Sequence, residues 1–461
     1  MKNVRAWIVQ LLAITAVSLT ISTPAVAAVS PEDVNRLQQA IATVWPKMDQ
    51  IWPGADFSKL TLLLLDDSSA FEITAAQSVP LEYEVASKSF PPGSGGGFKT
   101  LYWKGSPAVA IRVDSANLAY ITVAGKPISN VFALATHEAF HKYVQSTSAW
   151  SQATFPSSLR AARYPVETTP RLYRYLTFKT LFDAYQNPLG QNDQLAVAAG
   201  WYQRWKEEFP DEAKETQWTD VFEGTAQYAM ILATARAAVG FETSEVQWRA
   251  AVLEVVNANG TEPWFFISPD SESYRLGTIA GLIADQLHPS WKQEVQKGTL
   301  PLEALLSNLS PLEQTAPSEV VKQVEAVMQV RQKAATSLLE PFLNRFQNPE
   351  NTLLVVPLSA MSGSFRQLGF YQTPAVPYKP IVASISALFQ LTSGTLDVSA
   401  VTGAFGYLSA CAANGVSLIL VLAPGEARIS DDRVTFNGNG LSGTFSFIKA
   451  NESDRTVFCA K

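Results

Sequence analysis

The chain is poor in the residues that build most metal and redox sites. It has three histidines and two cysteines in 461 residues. Cys411 and Cys459 both lie near the C-terminus, and neither belongs to a CxxC pair. That pattern excludes a structural zinc site on paired cysteines. Two readings of the pair stay open, a disulfide in an oxidising compartment or two buried thiols. Charge is sparse too, at 16% of residues with a net charge of −6. No run of five or more basic residues exists, so a phosphate backbone has nothing to bind and nucleic acid is excluded as a partner. Beyond residue 27 no apolar run approaches the roughly 20 residues of a membrane span. The longest, Leu62–Leu65 and Val416–Ala423, are strand-sized. Long disorder is excluded by a hydrophobic content of 47%.

The N-terminus reads as a cleavable signal peptide. Lys2 and Arg5 form a short positive region, and Ala6–Leu19 is apolar and uncharged. Ala25-Val26-Ala27 then offers small residues to a signal peptidase, which predicts cleavage before Ala28. The competing reading is an uncleaved anchor, but the run is short for a span. No cysteine follows it and no twin arginine precedes it, so neither a lipoprotein nor a twin-arginine substrate is expected. Loss of Lys2 and Arg5 removes two positive charges and takes the net charge from −6 to −8. A periplasmic or secreted protein is the expectation, with no membrane span after cleavage.

A chain of this length exceeds what one core usually serves, so at least two domains are expected. Val34, Leu37, Ile41, Val44 and Trp45 recur at helical spacing, which predicts an amphipathic helix over Pro31–Gln50. Strands are predicted at Leu60–Leu65, Ala108–Val113 and Ala119–Val123, the last two separated by a turn at Asp114–Asn117. A flexible loop, Pro91–Gly97, lies between the first two. From Ser129 to about Asn348 the pattern is helical. Helices are expected near Ser129–Gln145, Arg171–Tyr185, Leu195–Phe209, Trp218–Ala237, Val246–Val256, Tyr274–Leu287 and Ser318–Phe346. Short β segments separated by Gly, Ser, Asn and Pro then run from Asn351 to Lys461, which puts a domain boundary near Gln347–Asn351.

The chemistry concentrates in one heptapeptide, Ala135-Thr136-His137-Glu138-Ala139-Phe140-His141. It contains H-E-x-x-H. On a helix, positions four apart share a face, so both imidazoles reach one metal ion, with Glu138 poised as general base toward metal-bound water. Scattered at random, these residue types would form such a motif roughly 0.002 times per chain. A catalytic zinc needs a third protein ligand. The metzincin pattern fails, because Val144 and Thr147 stand where it requires Gly and His. His288, the remaining histidine, lies far downstream before Pro289. Glu223 is the best candidate: it is a carboxylate in an otherwise apolar helical stretch, where it needs a partner. Gly224 and Ala226 beside it suggest close approach to the His137 helix.

With these residues the chain resembles a gluzincin-type HExxH zinc metallopeptidase of the broad peptidase MA-like kind, over about Leu60 to Trp291. The resemblance implies that Zn2+ is held by His137, His141 and Glu223, with Glu138 as base. It also implies that Ala119–Val123 is the edge strand along which an extended peptide or protein substrate pairs. Such domains tend to carry a Tyr-x-x-Gly helix, here Tyr274-Arg275-Leu276-Gly277, which makes Tyr274 the first choice for oxyanion stabilisation, ahead of Tyr228 and His288. Two departures from the thermolysin-like pattern are a longer interval from His141 to Glu223 and Gln227 in place of an Asp. Asp220 and Asp285 are candidates to orient the imidazoles. Arg160, Arg163, Tyr164, Arg171, Tyr173, Arg174 and Tyr175 read better as a solvated helix face than as a wall gripping a substrate carboxylate.

The expected architecture is α+β. A signal peptide (1–27) precedes a zincin-like metallohydrolase domain (28–347), which joins a small N-terminal sheet to a helical metal-binding subdomain. A β-rich C-terminal domain (351–461), suited to docking, closes the chain. Competing functions are a zinc hydrolase of another amide, such as a cell-wall component, and a non-catalytic metal-containing binding protein. Glu138 argues against the last, since a structural site has no use for a base.

Overall fold

A computed structural model describes residues 29–461 apart from 90–96, 114–117, 148–149, 151–160, 260–268, 379, 412–414 and 453–454. The predicted signal peptide, the Asp114–Asn117 turn, Arg160 and nearly all of the Pro91–Gly97 loop lie outside the described residues.

Helix α1 (Pro31–Val44) starts at a capping box. Asp33 N–H donates to Ser30 Oγ at 3.1 Å, and Ser30 N–H donates to the Asp33 carboxylate at 3.0 Å. The expected single helix to Gln50 is cut at Val44, and Trp45–Gln50 is a 3₁₀ turn. Pro46 causes the change, because it has no N–H to continue the α ladder.

A five-stranded sheet follows. Its strands are β1 (Thr61–Leu65), β2 (Ala70–Ile73), β3 (Ser78–Leu81), β4 (Gly97–Trp103) and β5 (Ser106–Arg112), with a short helix α2 (Tyr83–Ser89) between β3 and β4. The order is β3-β2-β1-β5-β4; β1 and β5 are parallel, and β4 runs antiparallel to β5 at the edge. The expected edge strand is corrected here. β6 (Tyr120–Val123) pairs with β7 (Lys126–Ser129) in a separate two-stranded hairpin and does not join this sheet. A turn at Ala124-Gly125, with both residues at positive φ, folds β6 back onto β7. β4 forms one edge of the five-stranded sheet, with β3 at the other.

The helical body comprises α3 (Asn130–Phe140), α4 (Thr168–Gln186), α5 (Gln191–Glu208), α6 (Pro210–Glu215), α7 (Gln217–Val239), α8 (Glu245–Ala258), α9 (Pro269–Leu287), α10 (Trp291–Gln296) and α11 (Pro301–Leu306). One apolar core joins it to the sheet. Val109 and Ile111 of β5 share this core with Phe132 and Ala135 of α3, and Trp52 meets Phe140, Tyr228 and Trp291 edge to face. Among the described residues no helix is long and apolar enough to cross a membrane.

The long helix α12 (Ser318–Gln347) leads into a sheet-rich C-terminal region. Its strands are β9 (Thr352–Pro357), β10 (Met361–Arg366), β11 (Gly369–Gln372), β12 (Ile381–Leu391), β13 (Gly394–Gly406), β14 (Ser417–Leu422), β15 (Arg428–Ser430), β16 (Arg433–Gly438), β17 (Leu441–Glu452) and β18 (Arg455–Ala460). β17 pairs back onto β13, so β13, β14, β9, β18 and β17 close a ring. This explains the unbroken apolar run of β9. Leu354 and Val356 face the ring interior, while Leu353 and Val355 pack against Leu339, Phe342 and Leu343 of α12. Cys411 and Cys459 form a disulfide. The two halves of the chain are also hydrogen-bonded: the two-residue strand Ala162–Arg163 pairs with β11, and Tyr164 N–H donates to Gln372 O at 2.8 Å.

The tightest crossing in the helical body is between α7 and α9. A Cβ on Gly224 would lie 2.9 Å from Gly277 Cα, and one on Gly277 would run into the Gly224 backbone. Gly224 thus admits α9 rather than the His137 helix, which corrects the expectation about its small size. Because backbone meets backbone, no rotamer change relieves the clash. Gly277→Ala should lower the unfolding free energy by about 1–3 kcal/mol or more, measured by urea denaturation; an unchanged midpoint would show that the crossing tolerates separation.

Candidate metal centre

Helix α3 is set by its start. Ser129 Oγ accepts from Val131 N–H at 3.1 Å, and Asn130 N–H donates to Ala119 O at 2.9 Å beside the hairpin. Val131, Phe132, Ala135, Ala139 and Phe140 are buried in the core. That orientation turns His137 and His141 together toward α7. Past Phe140 the helix widens into a π turn, His141–Gln145, a local distortion that recurs at functional sites.

Helix α7 is buried along most of its length, and Glu223 is 2% exposed within it. Its Oε2 lies 3.2 Å from Nε2 of His137 and 3.1 Å from Nε2 of His141. The two imidazole nitrogens are 3.0 Å apart. Ligand atoms at the corners of a zinc tetrahedron, with bonds of roughly 2.0–2.1 Å, stand about 3.3 Å from one another. Three atoms at 3.0–3.2 Å have nearly that spacing. The donor set of two imidazoles and one carboxylate suits zinc. Burial makes an ionised Glu223 costly, and a cation held beside it would offset that cost. The three residues predicted as ligands are thus brought together as a group able to hold a metal ion.

No family model, curated protein or solved structure matches the chain. The functional reading therefore rests on the motif and its geometry.

Glu138 is half-buried on the same helix. Tyr274 of α9 meets the His137 ring edge-on, with centroids 5.9 Å apart. The Tyr-x-x-Gly spacing acquires a physical meaning: Gly277 is the residue that lets α9 touch α7 beside Glu223, and Tyr274 lies one turn away.

Several candidates are placed elsewhere. Tyr228 packs against Trp52 and Trp291 and bonds Asp285. Burial, then the Asp285 charge, pushes its phenol well above the usual range. His288 faces Glu294 at 3.0 Å. Asp285 accepts from Trp291 Nε1 at 2.9 Å, and Asp220 accepts from Arg174 at 2.7 Å and Ser273 at 2.5 Å. Both acids are thus committed away from the imidazoles. The residue that does hold an imidazole was missed in the sequence: Gln145 Oε1 lies 2.5 Å from His141 Nδ1.

Two arginines of the arginine-rich segment, Arg171 and Arg174, are buried and do not form the solvated face expected. Arg171 and Arg174 are 6% and 1% exposed. Arg171 bonds Glu212 and Glu272, while Arg174 joins Glu272 at 3.0 Å to Asp220 at 2.7 Å. Burial alone would lower the Arg174 pKa, but Asp220 and Glu272 raise it, so the guanidinium stays charged. This network ties α4 to α7 one turn before Glu223 and to α9 two residues before Tyr274. A cleft of about 500 Å³, including its open mouth, lies beside the network between Arg163, Glu212, Arg331 and Gln372, away from the metal centre.

Removing Arg174 would take the guanidinium away from two buried carboxylates, leaving Glu272 to Arg171 and Asp220 to the Ser273 hydroxyl. Arg174→Met should cost about 3–5 kcal/mol in urea unfolding. A loss below about 1 kcal/mol, the range of a surface pair, would mean that the network does not lock the three helices.

Proposed function

We propose that this protein is an exported zinc-dependent metallopeptidase, a gluzincin-type HExxH enzyme with a zincin-like core. The observation that carries the reading is the convergence of His137 Nε2, His141 Nε2 and Glu223 Oε2 at 3.0–3.2 Å, with Glu138 adjacent on the ligand helix. Zinc held by His137, His141 and Glu223 would supply Lewis acidity toward a substrate carbonyl and an attacking water. Glu138 would take the proton of the attacking water and pass it to the leaving amine. Tyr274 would donate its phenol hydrogen to the oxygen that gains charge. A dication on two imidazoles and one carboxylate would leave the site net positive for that oxygen.

A peptide substrate is favoured over another amide by the sheet edge. β4 ends the five-stranded sheet, where an extended chain can add as a further strand. It is tied to the ligand helix through Tyr143, two residues past His141, whose hydroxyl donates to Leu101 O at 2.8 Å.

Metal content and peptidase activity test the reading together. Wild type should carry about one zinc per chain, and His137→Ala and Glu223→Ala should lose it. Glu138→Gln should keep the metal and lower kcat about 10²–10⁴-fold. Wild type that cannot be loaded with zinc would overturn the proposal. Zinc retained by Glu223→Ala would remove Glu223 from the ligand set.

A further inference from the structure

We propose that Gln145 is a positioning residue that selects the metal-binding tautomer of His141 and couples it to the turn of α7 that bears Glu223. The proposal rests on the metal-centre reading above and adds a residue that H-E-x-x-H does not contain.

Gln145 is 4% exposed, so each of its polar atoms needs a partner. Its Nε2 lies 2.8 Å from Phe222 O and 2.8 Å from Thr225 Oγ1. A carbonyl oxygen only accepts, so the nitrogen end of the amide must face α7. Its two hydrogens are then used, on Phe222 and on Thr225. Thr225 Oγ1 can accept because its own hydrogen goes to Val221 O at 2.7 Å.

The amide oxygen is left facing His141, 2.5 Å from Nδ1. That oxygen only accepts as well, so Nδ1 must carry a hydrogen. In neutral His141 the lone pair therefore sits on Nε2, the nitrogen that faces Glu223 and His137. The other tautomer would set the Nδ1 lone pair against the Gln145 oxygen. Phe222 and Thr225 flank Glu223 on α7, so the same side chain holds both ligand helices in register. A glutamate at 145 would accept from Nδ1 but could not donate to Phe222 O. A leucine would fill the space and do neither.

The test is ¹⁵N NMR of the imidazoles in full-length protein, metal-free and zinc-loaded, with zinc affinity from chelator competition. Wild type should hold His141 with hydrogen on Nδ1 even without metal. Gln145→Leu should mix the tautomers and weaken zinc binding about 10–100-fold. Gln145→Glu should keep hydrogen on Nδ1 yet still bind zinc more weakly, which separates the two roles. Thr225→Val, which removes one anchor without touching the histidine, should weaken zinc less than Gln145→Leu and serves if that variant does not fold. Metal-free wild type with no hydrogen on Nδ1, or wild-type zinc affinity in Gln145→Leu, would overturn the proposal. If wild type binds no zinc the metallopeptidase reading fails, while the metal-free tautomer still decides the role of Gln145.

Discussion

Glu223 Oε2 lies within 3.2 Å of Nε2 on both His137 and His141, at a position 2% exposed. A carboxylate there is costly without a compensating charge. The surrounding packing holds it in place nonetheless, and a group able to hold a metal ion needs side chains that move little. Much of the helical body can be understood as meeting that demand. α3 supplies the imidazoles, α7 the carboxylate, and α9 the tyrosine beside them. Their mutual placement is set by contacts that leave little slack.

Two of those contacts differ in kind. The Gly224–Gly277 crossing is steric: it brings two backbones as close as side-chain-free positions allow. The Arg174 network is electrostatic, and it runs through residues next to the functional ones, Asp220 before Glu223 and Glu272 and Ser273 before Tyr274. Buried ion networks add little net stability against an apolar alternative, but breaking one is expensive. Such a network suits a role in fixing register more than one in adding stability. The arginines read as surface residues because composition favours exposed charge; their acidic partners lie 41 to 101 positions away and appear only in three dimensions.

The C-terminal region is joined to the rest by more than a linker. Residues 162–164 hydrogen-bond to β11, and Tyr164 Oη donates to Glu340 of α12 at 2.6 Å. The apolar β9 follows from this arrangement, since one face lines a closed ring of strands and the other lies under α12.

By itself the sequence determined the parts of the site that depend on local spacing. Two histidines four apart on a capped apolar helix must share a face, and Glu223 stood out as an acid with no solvent-facing side available. The long helices, the change to strands after Asn351 and the strands at β1, β5 and β14 were legible for the same reason, because periodic burial writes itself into composition. Tertiary structure alone decided the rest. β4 became the sheet edge, and the expected edge strand folded into its own hairpin, because strand order depends on pairing across the fold. Gln145 bridges His141 and α7 because a π turn and a neighbouring helix aim each polar atom of its amide at a partner. No pattern along the chain encodes that, since its two partners on α7 are 77 and 80 residues away.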